Sequence, residues 1–370
     1  MIEGYYIGLI SGTSRDGVDA ALVLFENDTP KLLHALCLPY GEPLRSDLEA
    51  VLANPGPPRE AAGAQLDEWL GRHFARAARE LAEASGIEMR DVVAIGSHGQ
   101  TVWHNPGGNP PLSIQLGCPN VMLRSTHRPI VSHFRQADLE AGGEGAPLAP
   151  LLHRQLFFSE SEHRAVLNLG GIGNLTFLWS GGEVQGFDCG PANCLMDAWI
   201  RRHRGMDFDR DGDWAASGEV QSDLLQQMLE DPFFSRQPPK STGIEYFNMA
   251  WLDRHLSACP AQAEDVQCTL AELSALCAAQ AVSAANAKIT RLLVCGGGVH
   301  NQYLMHRLSA ALPAVSVEST LEHGLPPDWV EAVLFAWLAR ERLLERRQDT
   351  RNVTGAGETV LLGSITQAKS

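Results

Sequence analysis

Apolar residues in this chain come in short runs that are repeatedly closed by glycine. Tyr6-Ile7-Gly8-Leu9-Ile10 ends in Ser11-Gly12-Thr13-Ser14-Arg15-Asp16-Gly17, and a second apolar stretch follows over 18–25. Runs of this length bounded by turn residues predict a strand, a polar glycine turn and a second strand. Over 60–85 the period changes: Ala, Leu and Phe recur at helical spacing with Arg and Glu between them, and Gly86 supplies a stop. Residues 92–95 predict a buried strand that presents Gly96-Ser97-His98-Gly99-Gln100-Thr101 as a short loop at its carboxyl end.

The second half opens in the same way. Ala165-Val166-Leu167-Asn168-Leu169 runs into Gly170-Gly171-Ile172-Gly173-Asn174 and then Leu175-Thr176-Phe177-Leu178. A third strand carries Phe187-Asp188-Cys189-Gly190-Pro191, with a helix expected over 192–200. An Ala-rich helix follows over 270–288, then a buried strand at 292–295, the turn Gly296-Gly297-Gly298, and a helix after Asn301. Two halves that each begin with a glycine-turn hairpin suggest a duplication. Strands alternating with helices predict α/β layers, with a ligand in the cleft between them.

Length and charge narrow the class. A chain of 370 residues exceeds what one core usually organises, so two domains are expected. The formal net charge of −15 disfavours a nucleic-acid partner. It leaves nucleotides open, because such sites hold phosphates with local backbone N–H groups and Mg²⁺. No run reaches the roughly 18 apolar residues of a membrane span, and the start lacks a signal-peptide pattern, so a cytoplasmic protein with no membrane partner is expected. The eight cysteines are dispersed without a CxxC pair, which points to neither a zinc site nor a disulfide framework.

The candidate chemistry sits at the turns. Gly12 to Asp19 offers closely spaced N–H groups and hydroxyls for phosphate oxygens, with Asp16 and Asp19 near a metal; the alternative is a hairpin whose polar residues make only turn hydrogen bonds. No GxxxxGK[ST] or GxGxxG run occurs. A nucleotide would therefore be gripped by two hairpins, with Gly296-Gly297-Gly298 admitting the adenosine. Asp188, at a strand end before Gly190-Pro191, reads equally as a catalytic carboxylate and as a turn or helix cap. His98 reads as a substrate contact or as hydrogen-bonded scaffold. Arg135, beside Asp138 and Gly142-Gly143-Glu144-Gly145, reads as a carboxylate grip or a surface ion pair. Glu331 reads as a sugar-hydroxyl ligand or as helix N-terminal charge. The charge run 340–347 reads as a solvated helix face without function.

Taken together, Gly12-Thr13-Ser14-Arg15-Asp16-Gly17-Val18-Asp19, Gly96-Ser97-His98-Gly99-Gln100-Thr101, Asn168-Leu169-Gly170-Gly171, Phe187-Asp188-Cys189-Gly190-Pro191 and Cys295-Gly296-Gly297-Gly298 resemble the anhydro-N-acetylmuramic acid kinases. Lys240-Ser241-Thr242-Gly243 and Val353-Thr354-Gly355-Ala356 resemble two further signatures of that family. The resemblance spans essentially the whole chain. It implies a two-domain actin-like ATPase (sugar kinase) fold, α/β with a central cleft and mixed sheets flanked by helices. The expected domains are 1–132 with 335–370, and 133–334.

The resemblance also implies an activity: ATP-dependent opening of 1,6-anhydro-N-acetylmuramic acid with phosphorylation at O6, in cell-wall recycling, by a homodimer using ATP and Mg²⁺. Asp188 matches the base. Gly12, Thr13, Ser14, Arg15, Asp16, Gly17, Val18 and Asp19 match the first phosphate loop. Asn168, Gly170, Gly171 and Asn174 match the second, and Gly296, Gly297, Gly298 and Asn301 the adenosine contact. His98, Gln100, Thr101, Arg135 and Glu331 are the expected substrate contacts, and no protein metal ligand is expected. The chain departs from the family pattern at Arg15, His133, Glu144 and Ile244, which bears on substrate contacts and on charge near the phosphates. Two other readings compete: a kinase for another anhydrosugar or free sugar, and a nucleotide-switched binding protein on the same fold.

Overall fold

The computed structural model describes residues 3–12, 16–53, 56–58, 60–238, 240–285 and 287–368. Its strands in chain order are β1 (Gly4–Ser11), β2 (Gly17–Glu26), β3 (Thr29–Pro39), β4 (Val92–Asn105), β5 (Leu112–Leu116), β6 (Ile130–Ser132), β7 (Arg164–Leu169), β8 (Ile172–Leu178), β9 (Val184–Pro191), β10 (Arg291–Cys295), β11 (Ser316–Ser319) and β12 (Ser364–Thr366). The chain divides into two compact units, Met1–Leu152 with Trp329–Ser370, and His153–Asp328.

The expected boundaries at 132/133 and 334/335 shift for a physical reason. Residues 133–152 stay with the first unit because Asp138 is hydrogen-bonded to Thr350 and Thr354. Residues 329–334 stay with it because they begin a helix, Val330–Leu343, that packs on β1 and β4.

Each unit carries a mixed sheet, and the two sheets share one plan. In the first unit the order is β3-β2-β1-β4-β6-β12, with β5 paired to β4; in the second it is β9-β8-β7-β10-β11. In both, the first three strands form an antiparallel meander, and the next two run parallel to the first. The repeated order is a stronger sign of duplication than the glycine hairpins that hinted at it. Helices cover the sheets, giving the expected α/β organisation with mixed sheets. In the first unit the helix Glu60–Ala84 brings Leu70, Phe74 and Leu81 against Ile7, Leu22 and Ile95. In the second, Ala263–Ser283 is buried on nearly every side and packs with Phe187, Trp199 and Leu304.

Two expectations change here. The 96–101 segment is not a loop: β4 continues through it to Asn105, paired in parallel with β1 and then antiparallel with β5. Its glycines serve a close approach. Gly8 and Gly96 face each other in register, and a Cβ on Gly8 would lie 1.8 Å from the Ala332 carbonyl oxygen, one on Gly96 1.9 Å from that of Phe335. The Val330–Leu343 helix therefore lies directly on the sheet backbone.

The 340–347 run is likewise not wholly solvated. Arg340 is 0% exposed, its guanidinium 5.0 Å from the Phe25 ring centroid and 2.5 Å from Asp28, and Glu341 is also buried. Asp28 reaches this position because the β2–β3 turn puts it at φ 64°.

Candidate functional site

Asp188 is the most tightly built of the candidates. It lies on β9 opposite Asn174 of β8, just beyond a register shift between Gly173 and Asn174. The Asn174 side-chain amide donates to Asp188 Oδ1. The Thr242 backbone N–H donates to Oδ2 at 2.8 Å, and the Asp188 N–H donates to the Lys240 carbonyl at 3.0 Å. The residue is 8% exposed. Its carboxylate does not cap the following helix, Asn193–Arg204, whose N-cap is Ala192 without a side-chain bond. The helix-cap reading of Asp188 is thereby set aside.

The glycine turns of the second unit come together. Gly296, at φ 81°, packs so closely on the second hairpin that a Cβ would sit 2.3 Å from Asn168 Oδ1, and one on Gly298 would sit 2.6 Å from the Leu169 Cβ. By contrast, a Cβ on Gly297 would meet nothing within 4 Å, and one on Gly170 nothing nearer than 3.6 Å. Gly296 and Gly298 thus allow backbone packing, a Cβ on Gly170 would make ordinary contacts, and Gly297 alone of these four borders open space. The Gly170 and Gly171 carbonyls accept the N–H groups of Ala192, Asn193 and Cys194, so the helix start is spent on bracing the hairpin. Asn301 caps the Gln302–Ala311 helix, its Oδ1 accepting from the Leu304 N–H at 2.9 Å.

In the first hairpin, Thr13, Ser14 and Arg15 lie outside the described residues. Gly12 and Asp16 are the described residues on either side of them. Gly17, Val18 and Asp19 belong to β2, where Val18 is fully buried in the core and offers no side chain to a ligand. The Asp16 carbonyl accepts the Tyr40 N–H at 2.8 Å, and Asp19 pairs across the strands with Cys37. Burial, then the Asp19 carboxylate, pushes the Cys37 thiol up to about 12.

The proposed sugar contacts resolve into a buried relay in the first unit. His98 is 5% exposed, and both ring nitrogens are engaged. Nδ1 lies 3.0 Å from the Gly99 carbonyl, which fixes the Nδ1–H tautomer, and Nε2 accepts from Arg135 Nε at 3.1 Å and Nη2 at 2.9 Å. Burial, then the Arg135 charge, holds the His98 pKa well below the ordinary histidine range. His98 therefore braces Arg135.

Arg135 Nη1 donates to the Gly145 carbonyl at 2.7 Å, and the Gly145 N–H donates to Asp138 Oδ2 at 2.7 Å. Burial lowers the Arg135 pKa to about 10, with Glu331 and Asp138 opposing that shift, so the guanidinium stays charged. Glu331 is exposed on the first turn of its helix, yet surrounding protein raises its carboxyl pKa, with Arg135 pulling the other way. Gln100 is buried and accepts from the Ser11 hydroxyl at 2.6 Å; the Thr101 hydroxyl accepts from Gln115 at 3.4 Å. Residue pattern did not single out Asp138, Thr350, Asn174 or Thr242 for these bonds.

A family model described as anhydro-N-acetylmuramic acid kinase matches residues 4–368. The chain belongs to the anhydro-N-acetylmuramic acid kinase family. Its relatives include the anhydro-N-acetylmuramic acid kinase of Xanthomonas axonopodis pv. citri (strain 306), 46% identical over 363 residues and covering 97% of each chain. That of Legionella pneumophila (strain Corby) is 42% identical over 360 residues, again covering 97% of each. Among solved structures, the activator of the 2-hydroxyisocaproyl-CoA dehydratase from Clostridium difficile with bound ADPNP aligns at a TM-score of 0.47 and 11% identity, over 93% of this chain and 98% of that one. That likeness is too slight to argue from.

Of the four positions expected to depart from the family pattern, Arg15 lies outside the described residues. His133 is exposed at φ 55°, and the Glu144 N–H is fixed to the Thr354 carbonyl at 2.8 Å. Ile244 is half-buried in the loop that follows Thr242.

Proposed function

We propose that this chain opens the 1,6-anhydro ring of 1,6-anhydro-N-acetylmuramic acid and phosphorylates O6 at the expense of ATP, giving N-acetylmuramic acid 6-phosphate and ADP. The observation that carries the reading is the Asp188 carboxylate, held within β9 by Asn174 on one oxygen and by the Thr242 N–H on the other. A carboxylate fixed in this way suits a general base: it takes a proton from the water that attacks the anomeric carbon. The sugar oxygen released from that carbon takes the γ-phosphoryl group, so a C–O and an O–P bond form as the sugar's C–O bond and the bond from the γ-phosphorus to its bridging oxygen break, with ADP leaving. Arg135, charged and braced by His98 and Gly145, is suited to grip the sugar's carboxylate, with Glu331, Gln100 and Thr101 proposed for its hydroxyls.

The open space beside Gly297 fits a nucleotide pressed against backbone. Gly12 to Asp19, Asn168 to Asn174 and Gly296 to Asn301 would hold it, with Asp16 and Asp19 proposed to face its magnesium ion. When bound, the nucleotide supplies the phosphoryl group and the ion offsets phosphate charge. Among the described residues no helix is long and apolar enough to cross a membrane. A cytoplasmic homodimer acting in cell-wall recycling is the setting proposed with this activity.

The test is a mass-spectrometric assay with 1,6-anhydro-N-acetylmuramic acid, ATP and Mg²⁺ in oxygen-18 water. A ring-opened, 6-phosphorylated product with solvent label at the anomeric carbon supports the reading. A phosphorylated sugar without label would favour an ordinary sugar kinase, and no sugar-dependent ATP turnover would favour a nucleotide-switched binding protein. Asp188→Asn should cut turnover on the order of 10²–10⁴-fold with substrate binding largely retained.

A further inference from the structure

The base sits on an edge strand. β9 is the last strand of its sheet, so beyond Asp188 the ladder would end in unpaired backbone groups. Instead Lys240 to Thr242 meet this edge at Asp188. The Asp188 N–H donates to the Lys240 carbonyl at 3.0 Å, and two residues later the Thr242 N–H returns to Asp188 Oδ2 at 2.8 Å. The two bonds form a reciprocal clasp, one on the backbone of the base and one on its reactive group. Lys240 in turn is pinned: Nζ lies 3.4 Å from each of the Phe233 and Phe234 carbonyl oxygens and 4.7 Å from the Phe233 ring centroid. That anchor is local, and Phe233 is buried against Phe247 in the core of the unit.

The two oxygens of the carboxylate are held differently. Asn174 comes from the neighbouring strand, paired directly with Asp188, whereas Thr242 comes from a loop whose next residues are Gly243 and the half-buried Ile244. We propose that Lys240–Thr242 is a positioning clamp on the proposed base, in which the Thr242 backbone N–H fixes the rotation of the Asp188 carboxylate and keeps it ionised. The inference rests on Asp188 acting as the base. A backbone donor does this with no dependence on side chain: an N–H aimed at one oxygen stabilises the anion and disfavours the protonated acid. A charge-assisted bond of this kind is worth on the order of ten-fold in an equilibrium. Thr242 is a positioning residue, because it acts through Asp188.

The experiment replaces Thr242 by its α-hydroxy acid, which turns the donating amide into an ester and leaves the side chain in place. Turnover is followed across pH 4–9 in the full-length chain. The expected result is a fall in kcat on the order of ten-fold, a sugar KM within about two-fold of wild type, and an acid limb of the kcat profile moved up by about one pH unit. Thr242→Ala retains the N–H and should keep the wild-type acid limb. The same ester placed at Ser241 controls for loop disturbance and should not move that limb. A Thr242 ester with the wild-type limb, whether or not kcat falls, overturns the clamp. Asp188→Asn, assayed in parallel, separates the two ideas. Full turnover in that variant removes the base and the clamp together, whereas loss of turnover there with an unshifted Thr242 ester removes the clamp alone.

Discussion

Replacing Asp138 by alanine should loosen the first unit and weaken sugar binding together. Asp138 is 0% exposed and accepts from the Gly145 N–H at 2.7 Å, the Thr350 hydroxyl at 2.5 Å and the Thr354 hydroxyl at 2.7 Å. In Asp138→Ala all three lose their acceptor. The Thr354 hydroxyl keeps a second one, the Thr350 carbonyl at 3.1 Å, which leaves two buried donors unpaired. At about 1–3 kcal/mol each, the cost is about 4 kcal/mol. Asp138→Asn restores an acceptor for Gly145 and presents its amide to hydroxyls that can rotate, so it should lose only the charge assistance, about 1–2 kcal/mol.

The functional consequence runs through one further bond, because the Gly145 carbonyl holds Arg135. A loosened 142–145 loop should therefore raise the sugar KM by about ten-fold in Asp138→Ala, with kcat changed less. Urea unfolding and steady-state kinetics on the two variants read both effects. An alanine variant within about 0.5 kcal/mol of wild type, or no more destabilised than the asparagine variant, would refute the reasoning.

Arg340→Ala should cost about 3 kcal/mol in urea unfolding, since it removes a fully buried guanidinium that pairs with Asp28 and stacks on Phe25; a loss under about 1 kcal/mol would mean that the pair contributes little. The Ser316 hydroxyl, then His323 and Arg291, hold the Glu318 carboxyl down to about 2 from an ordinary 4.5. Because its folded pKa is depressed, its contribution is complete above pH 4.5 and is lost as pH falls toward 2. Glu318→Gln should therefore flatten that part of the stability–pH curve, by at most about 3 kcal/mol, as followed by thermal melts from pH 5 to 2.5. His98 is held neutral in the fold, so its stabilising contribution is present above an unfolded pKa near 6.5 and declines below it. Nitrogen-15 NMR at pH 6 should show it as the Nδ1–H tautomer; a protonated ring at that pH would contradict the relay to Arg135.

The sequence by itself determined what depends on neighbours a few residues apart. The antiparallel pairs β1–β2 and β7–β8 and the helix stop at Gly86 follow from apolar period and from turn chemistry, both local, whereas the strand end expected at Asp188 does not, because β9 continues in the ladder to Pro191. The resemblance of the motifs carried the family, which the comparisons bear out. Pairing partners were decided elsewhere. The order β3-β2-β1-β4-β6, repeated as β9-β8-β7-β10-β11, is a property of which strands meet.

Only tertiary structure made 96–101 a strand, because its glycines answer a helix more than two hundred residues later. It buried Arg340 because Asp28, 312 residues away, arrives at a turn with an opposite charge. It set the Thr350 and Thr354 hydroxyls, 212 and 216 residues distant, on Asp138, and the Thr242 N–H, 54 residues distant, on Asp188. A polar side chain and a backbone N–H carry no mark of their partner in the sequence. Their bonds form between whichever groups the packed core leaves facing each other, where an unpaired polar group is costly.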